Sequence, residues 1–198
     1  MTKKALLVVD VQNDFCPGGA LAVTNGDQVV EPLNRMINHA FGSGWKVYAS
    51  RDWHPAVTKH FKIYGGFWPV HCVQNTPGAD FHPRLNSHYA LVISKAFRPD
   101  EDGYSEFEGV TPSGIPLDEA LKSASVTDLY VGGLATDYCV KATCLDGVKL
   151  GYKVYLLLDA CRAVNVNPSD GDKAVEEMKA AGVLVTTTEE VINADLGC

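Results

Sequence analysis

The chain has 198 residues, 46% hydrophobic and 21% charged, an ordinary balance for a folded protein and one that argues against disorder as the main state. A formal net charge of -7 removes any electrostatic case for binding a nucleic-acid backbone. No apolar run reaches the roughly 18 residues a membrane span needs, so neither nucleic acid nor membrane is expected as a partner.

Met1-Thr2-Lys3-Lys4 leads straight into an apolar run over 5–11, without the long apolar segment and cleavage site of a signal peptide. That run predicts the first strand. Val29, Val30, Leu33, Met36, Ile37, Ala40 and Phe41 then recur at helical spacing, with Asp27 as a candidate cap and Gly42-Ser43-Gly44 as the stop. A second strand is predicted over 46–51. Residues 52–89 break the rhythm with Pro55, Gly65, Gly66, Pro69, Pro77, Gly78, Pro83 and many aromatics. A loop this long inside a domain usually carries function. Strands over 90–95, 128–134, 153–158 and 184–188 then alternate with helices over 116–125, 138–150 and 170–181. Most strand runs are apolar at successive positions, as strands covered on both faces require. The alternation predicts βαβ units and a parallel sheet, in a single domain over 1–198 with the loop at about 52–89 as an insertion. Asp195-Leu196-Gly197-Cys198 matches neither a prenylation box nor a peroxisomal tripeptide, and the expected location is the cytoplasm. Cysteines 16, 72, 139, 144, 161 and 198 are scattered and read as free thiols, mostly small core residues.

The ends of the strands carry the chemistry. The first ends at Asp10, the second at Arg51-Asp52, the third at Ser94-Lys95, and the fourth at Ala135-Thr136 with Cys139 just beyond. In a parallel sheet these ends share one edge, where ligands bind at the reversal of strand order. Taken singly, Asp10 reads as a turn former, Lys95 as a surface lysine and Cys139 as a structural thiol. Together on one edge they make a set for nucleophilic acyl transfer. The start of a helix favours the thiolate of Cys139, and Lys95 would favour it further. Asp10 can take the thiol proton and pass it to a leaving amine, and backbone N–H groups at the helix start can bind an oxyanion.

Asp52-Trp53-His54 and Trp68-Pro69-Val70-His71 form a second group. Positions 52 and 54 point the same way in extended chain. A carboxylate and two imidazoles make a three-ligand set that suits zinc, iron or manganese with positions left open. His60 is a candidate fourth ligand, left outside the set, and His39, His82 and His88 read as surface. Phe15, Trp53, Phe61, Tyr64, Phe67, Trp68 and Tyr104 fall in loops, where some can stack a flat ligand. Metal, thiol and aromatic walls point to a small planar molecule bearing an amide.

These residues resemble the nicotinamidases (pyrazinamidases) of the isochorismatase-like cysteine hydrolases. The marks are Leu7-Val8-Val9-Asp10-Val11-Gln12-Asn13-Asp14-Phe15, Gly18-Gly19-Ala20-Leu21, Arg51-Asp52-Trp53-His54-Pro55 and Trp68-Pro69-Val70-His71-Cys72. They continue through Gly78-Ala79, Ser94-Lys95, Gly103-Tyr104-Ser105 and Gly132-Gly133-Leu134-Ala135-Thr136-Asp137-Tyr138-Cys139-Val140. The resemblance implies an α/β fold, a three-layer α/β/α sandwich around a six-stranded, mainly parallel sheet. It implies hydrolysis of nicotinamide to nicotinate and ammonia, with pyrazinamide as a second substrate. Cys139 would be the nucleophile, Asp10 the proton carrier and Lys95 its charged support. Asp52, His54 and His71 would hold the metal, zinc before iron or manganese, with the pyridine nitrogen at an open position. Phe15, Leu21, Trp68, Tyr104 and Ala135 would line the substrate. Ala135 and Cys139 would give the oxyanion N–H groups, after a cis peptide bond that precedes Ala135. Oligomeric state is left open, a homo-oligomer included.

Three other readings are weighed. A ureido or carbamoyl amidase shares the Asp–Lys–Cys set but generally lacks the metal segment. A dinucleotide-binding module would show G-x-G-x-x-G after the first strand, where this chain has Asp10-Val11-Gln12-Asn13. A non-catalytic metal-binding or partner-binding domain would have no need of Asp10, Lys95 and Cys139 together.

Overall fold

Strand β1 (Lys4–Val9) sets the architecture. Leu6 and Val8 enter one apolar cluster with Leu33, Met36 and Ile37, while Ala5, Leu7 and Val9 enter another with Leu117, Leu121 and Met178. Side chains alternate along a strand, so a run apolar at every position needs cover on both faces. In the computed structural model, which describes residues 3–197, that cover comes from five helices. Met1, Thr2 and Cys198, named in the sequence readings, lie outside the described residues.

Beside β1 stand β2 (Lys46–Asp52), β3 (Leu91–Lys95), β4 (Asp128–Leu134), β5 (Lys153–Arg162) and β6 (Leu184–Thr186). Their order is β3-β2-β1-β4-β5-β6, and every pairing is parallel, so the sheet is parallel throughout rather than mainly so. Helices α1 (Val30–Gly42) and α5 (Thr188–Leu196) cover one face. Helices α2 (Leu117–Ser123), α3 (Lys141–Lys149) and α4 (Asp170–Ala180) cover the other, completing the three layers. No helix among the described residues is long and apolar enough to cross a membrane.

Strand order reverses between β1 and β4, which opens a crevice beyond their carboxyl ends. The two strands approach closely there. A Cβ on Gly133 would lie 2.1 Å from the Val9 carbonyl oxygen, and its φ of 136° suits only glycine.

Several local readings are corrected. Asp27 does not cap α1; it lies inside a 3₁₀ turn, Gly26–Val29, and sits 3.8 Å from Arg84. The helix expected from residue 138 begins as a π turn, Thr136–Val140, before α3. Strand β5 runs past its expected end to Arg162, after a register shift against β4 between Val131 and Gly133. Helix α5 was not anticipated. It starts with a reciprocal capping box between Thr187 and Glu190, and Asp159 of β5 accepts from the Thr188 N–H and hydroxyl at 2.9 and 2.6 Å.

The loop between β2 and β3 is held by the segment after β1. The Gln12 amide donates to the Asp52 and Ala79 carbonyls at 2.8 and 2.9 Å. Asp14 accepts the Cys72 N–H at 2.7 Å, and a Cβ on Gly78 would lie 2.2 Å from the same carboxylate, so glycine is required there. These bonds satisfy loop backbone that would otherwise go unpaired, and they fix His71, next to Cys72, relative to β1.

Candidate active site

Asp10 follows β1, Asp52 closes β2, Lys95 closes β3, and Cys139 sits in the π turn after β4; all four are buried. The chain turns sharply at these points. Asp10, Ala96 and Cys72 hold φ values of 48°, 55° and 45°, a region non-glycine residues seldom occupy and one common at functional sites. The π turn has the same association.

Lys95 is the centre of the first cluster. Its ammonium donates to Asp52 Oδ1, to the Gly103 carbonyl at 2.7 Å and to Cys139 Sγ at 3.6 Å. An ammonium has three donors, and these contacts use them all. Asp10 Oδ2 lies 2.7 Å from the same nitrogen as an ion pair without a hydrogen bond, while Asp10 Oδ1 accepts from Ser50 Oγ at 2.6 Å. Oδ2 therefore keeps a free lone pair beside the thiol. Asp10, Asp52 and Cys139 each bring one atom within 4.8 Å of the others.

Burial pushes the Cys139 thiol well above its ordinary range, and Lys95 opposes this without prevailing. Burial thus works against the effect of the helix start, which favours the thiolate. Burial also raises Asp10 against the pull of Lys95, making it a better acceptor for that proton. Burial disfavours the Lys95 charge, but Asp10 and Asp52 outweigh it and hold the ammonium.

On the other side of Asp52, His54, His60 and His71 each bring one ring nitrogen within 4.8 Å of the others. Their ring centroids lie 4.5, 5.0 and 5.4 Å apart, and buried Phe61 meets His54 edge-on. His71 Nδ1 donates to the Pro69 carbonyl at 2.7 Å, because a carbonyl can only accept. His60 Nδ1 donates to Asp102 Oδ1 at 2.8 Å. Each ring thus leaves its Nε2 lone pair for the cluster. Asp52 Oδ2 lies 3.7 Å from His54 Nε2 and 3.9 Å from His71 Nε2. Burial lowers His60 and takes His71 down to about 4, so both are neutral donors. Burial alone would raise Asp52, but Lys95 and then His54 outweigh it and keep the carboxylate charged.

His54 decides whether this set suits a metal. It is fully buried, and neither ring nitrogen has a hydrogen-bond partner among the described residues. A buried polar group left unpaired costs about 1–3 kcal/mol. Neutral imidazoles and a carboxylate oxygen share one natural partner, a divalent transition cation. The residues fit that ion. The structure brings together Asp52, His54 and His71 as expected and adds His60.

Both clusters face one pocket, with an empty volume of about 400 Å³ including open solvent. Phe15, Leu21, Trp68, Tyr104 and Ala135 all line it, with Asp52, His60, His71 and Cys139. Trp68 Nε1 donates to the Tyr104 hydroxyl at 2.9 Å, and its ring meets Tyr138 edge-on at 4.8 Å. Phe15 stands 5.5 Å from His71. The lining mixes aromatic and aliphatic side chains with a few polar groups, which suits a flat ligand with one reactive group. The Leu134–Ala135 peptide bond is cis.

Residues 4–190 match the isochorismatase domain family. The chain belongs to that family. Among other isochorismatase-family proteins, it is 45% identical over 204 residues to the nicotinamidase of Escherichia coli (strain K12), covering 94% of this chain and 96% of that one. It is similar to the pyrazinamidase of Pyrococcus horikoshii in complex with zinc, with a TM-score of 0.86 and 45% identity over 93% of this chain and 99% of the other. PnC1 from L. infantum in complex with nicotinate aligns with a TM-score of 0.83 and 34% identity, over 95% and 94% of the two chains.

Some pocket residues of this isochorismatase-family chain escaped the sequence reading. Val23, Asp102, Leu134, Tyr138 and Val164 also line it. Tyr138 was legible as the neighbour of Cys139. Ser50, which bonds Asp10, was not, because a serine inside an apolar strand reads as filler. His88 is exposed as expected, but His39 is largely covered, between Asp195 at 3.1 Å and Trp45. Cys16, Cys72, Cys139, Cys144 and Cys161 are free and buried.

Proposed function

We propose that the chain hydrolyses nicotinamide, and with it pyrazinamide, to the corresponding acid and ammonia. The observation that carries this reading is that Cys139, with Lys95 and Asp10 beside it, opens on the same pocket as Asp52, His60 and His71. The likeness to a nicotinamidase and to a protein bound to nicotinate supports it. As Cys139 Sγ attacks the carboxamide carbon, Asp10 Oδ2 takes the thiol proton. The N–H groups of Ala135 and Cys139 hold the oxyanion of the tetrahedral intermediate. Asp10 returns the proton to the amine, the C–N bond breaks, and ammonia leaves a thioester on Cys139. Asp10 then takes a proton from water, the hydroxide displaces the sulfur, and the thiol is restored. Lys95 balances the charge of Asp10 throughout. Asp52, His54, His60 and His71 would hold a divalent metal, zinc in the first instance, which supplies a Lewis-acidic position for the ring nitrogen. Trp68 and Phe15 orient the ring, and the pocket excludes bulk water. The product acid feeds pyridine-nucleotide salvage in the cytoplasm.

The test is ammonia release from nicotinamide by purified protein, before and after chelation. Release that chelation removes and added zinc restores is the expected result. Release that survives complete metal removal would take the imidazole set out of the reaction. No release from metal-replete protein would overturn nicotinamide as the substrate and turn attention to ureido and carbamoyl compounds on the same thiol.

A further inference from the structure

The side chain of Asp102 is 67% exposed, yet it lines the pocket beside His60 and Tyr104. An exposed carboxylate is normally free to swing away, but this one is held. Upstream, the Pro99 carbonyl accepts from Thr58 Oγ1 at 2.9 Å and from the Lys59 N–H at 3.1 Å. Next to Asp102, the Gly103 carbonyl accepts from buried Lys95 at 2.7 Å. Gly103 has a φ of 68°, and a Cβ there would lie 2.5 Å from the Ala96 Cβ. Downstream, Tyr104 is tied to Trp68, and fully buried Glu106 donates its N–H to Thr143 Oγ1 at 3.0 Å. The Asp102 carboxylate itself accepts from His60 Nδ1 at 2.8 Å. Its charge is therefore fixed at the mouth of the pocket.

That charge is unevenly matched. Lys59 and Arg98 are close in sequence, but they pair with Asp100 and Glu101 at 4.0 and 3.4 Å. The partner of Asp102 is His60, and burial keeps that ring neutral. Asp52 and Asp102 are the charged residues of the pocket lining, which holds neither lysine nor arginine among the described residues. Lys95 matches Asp52 from behind the pocket. Asp102 is thus the protein charge left uncompensated before a ligand. A ligand held in about 400 Å³ lies within a Debye length of it, about 8 Å at physiological salt. A divalent ion on the imidazole set would draw anions into the pocket, and Asp102 offsets that pull.

The proposed reaction, on which this inference rests, turns a neutral amide into an acid that is ionised at neutral pH. Substrate and product then share one ring and differ by one charge. We propose that Asp102 is a specificity-determining residue: its carboxylate disfavours an anionic ligand in the pocket while sparing a neutral one, and so hastens release of the acid product.

The test compares a neutral probe with an anionic one of similar size. Cys139 lines the pocket, so its alkylation by iodoacetamide and by iodoacetate, followed by peptide mass spectrometry, reads the charge each probe meets. With zinc in excess and at low salt, Asp102→Asn should raise the iodoacetate-to-iodoacetamide rate ratio by about two- to fivefold. The rise should fade at about 1 M salt, where the Debye length falls to about 3 Å. A ratio cancels any change in thiol reactivity or zinc occupancy common to both probes. Asp102→Glu keeps the charge but alters the bond to His60, and should keep the wild-type ratio. Asp100→Asn, on the same segment but outside the lining, should keep it too. An unchanged ratio in Asp102→Asn overturns the proposal, as does an equal rise in Asp102→Glu or Asp100→Asn. The second readout is inhibition by nicotinate. The ratio of its Ki to the KM for nicotinamide should fall by the same two- to fivefold in Asp102→Asn, about the size one screened charge supports. A ratio that stays at the wild-type value overturns the role in product release. If nicotinamide is not turned over, the substrate reading falls, and the alkylation ratio decides for Asp102 by itself.

Discussion

Two buried polar clusters share Asp52, and they are satisfied in opposite ways. Around Lys95 every ammonium proton has an acceptor, and the positive charge sits between two carboxylates. Around His54 the donor atoms face one another, and the ring at the centre has no hydrogen-bond partner among the described residues. The Lys95 ammonium finds its partners among protein atoms alone. The second is a set of lone pairs and calls for a cation. One is a set of paired charges, and the other a set of lone pairs whose stability would depend on a bound cation.

Removing the Cys139 thiol separates the clusters most sharply. Cys139→Ala should lower ammonia release by on the order of 10⁴-fold or more while leaving metal content at the wild-type level. Metal lost along with activity would mean that the clusters are not separable. Lys95→Met should strike the complete cluster hardest, since it leaves two buried carboxylates without their cation. A loss of about 3–5 kcal/mol in urea denaturation is expected. Chelation should strike only the other cluster. With zinc at a thousandfold over its Kd, removing it should cost the wild type about 4 kcal/mol, read as a fall in Tm, and His54→Ala should show almost none of that fall. Glu106 gives a gentler test through pH. Its carboxyl binds a proton in the folded protein up to about 8 but only up to about 4.5 when unfolded. Between those values the folded state holds the extra proton, so stability falls as pH rises, by at most about 1.4 kcal/mol per unit. Denaturation of Glu106→Gln beside the wild type should lack that slope. The smallest effect expected is at the rim, where Asp102→Asn should weaken zinc binding by about tenfold through looser orientation of His60.

The sheet was legible because β1 and β4 are apolar at nearly every position, a pattern few structures other than a two-sided layer accommodate. The same logic places Asp10, Lys95 and Cys139 on one edge from the sequence alone. What escaped depended on contacts rather than on pattern. Past Leu158, Asp159 interrupts the apolar run of β5, and its carboxylate accepts from Thr188. The Thr187-x-x-Glu190 capping box is the local signal for α5. His60 lies in a loop whose path no periodicity sets, so its approach to His54 could not be read from spacing. Glu106 and Glu108 look alike in sequence, and Glu108 caps a turn while Glu106 is fully buried.

The order of the strands also sets when the site can come into being. Strands β1, β2 and β3 lie side by side and arise from the first half of the chain, so Asp10, Asp52 and Lys95 need only sequence-local crossovers to meet. Cys139 arrives with β4, which pairs with β1 in a register that sets Lys4 against Asp128. Closing so long a loop is the slow step in building a parallel sheet. The acid–lysine half thus lies wholly before the thiol in the chain. Docking of β4 into the centre of the sheet brings Cys139 to Lys95.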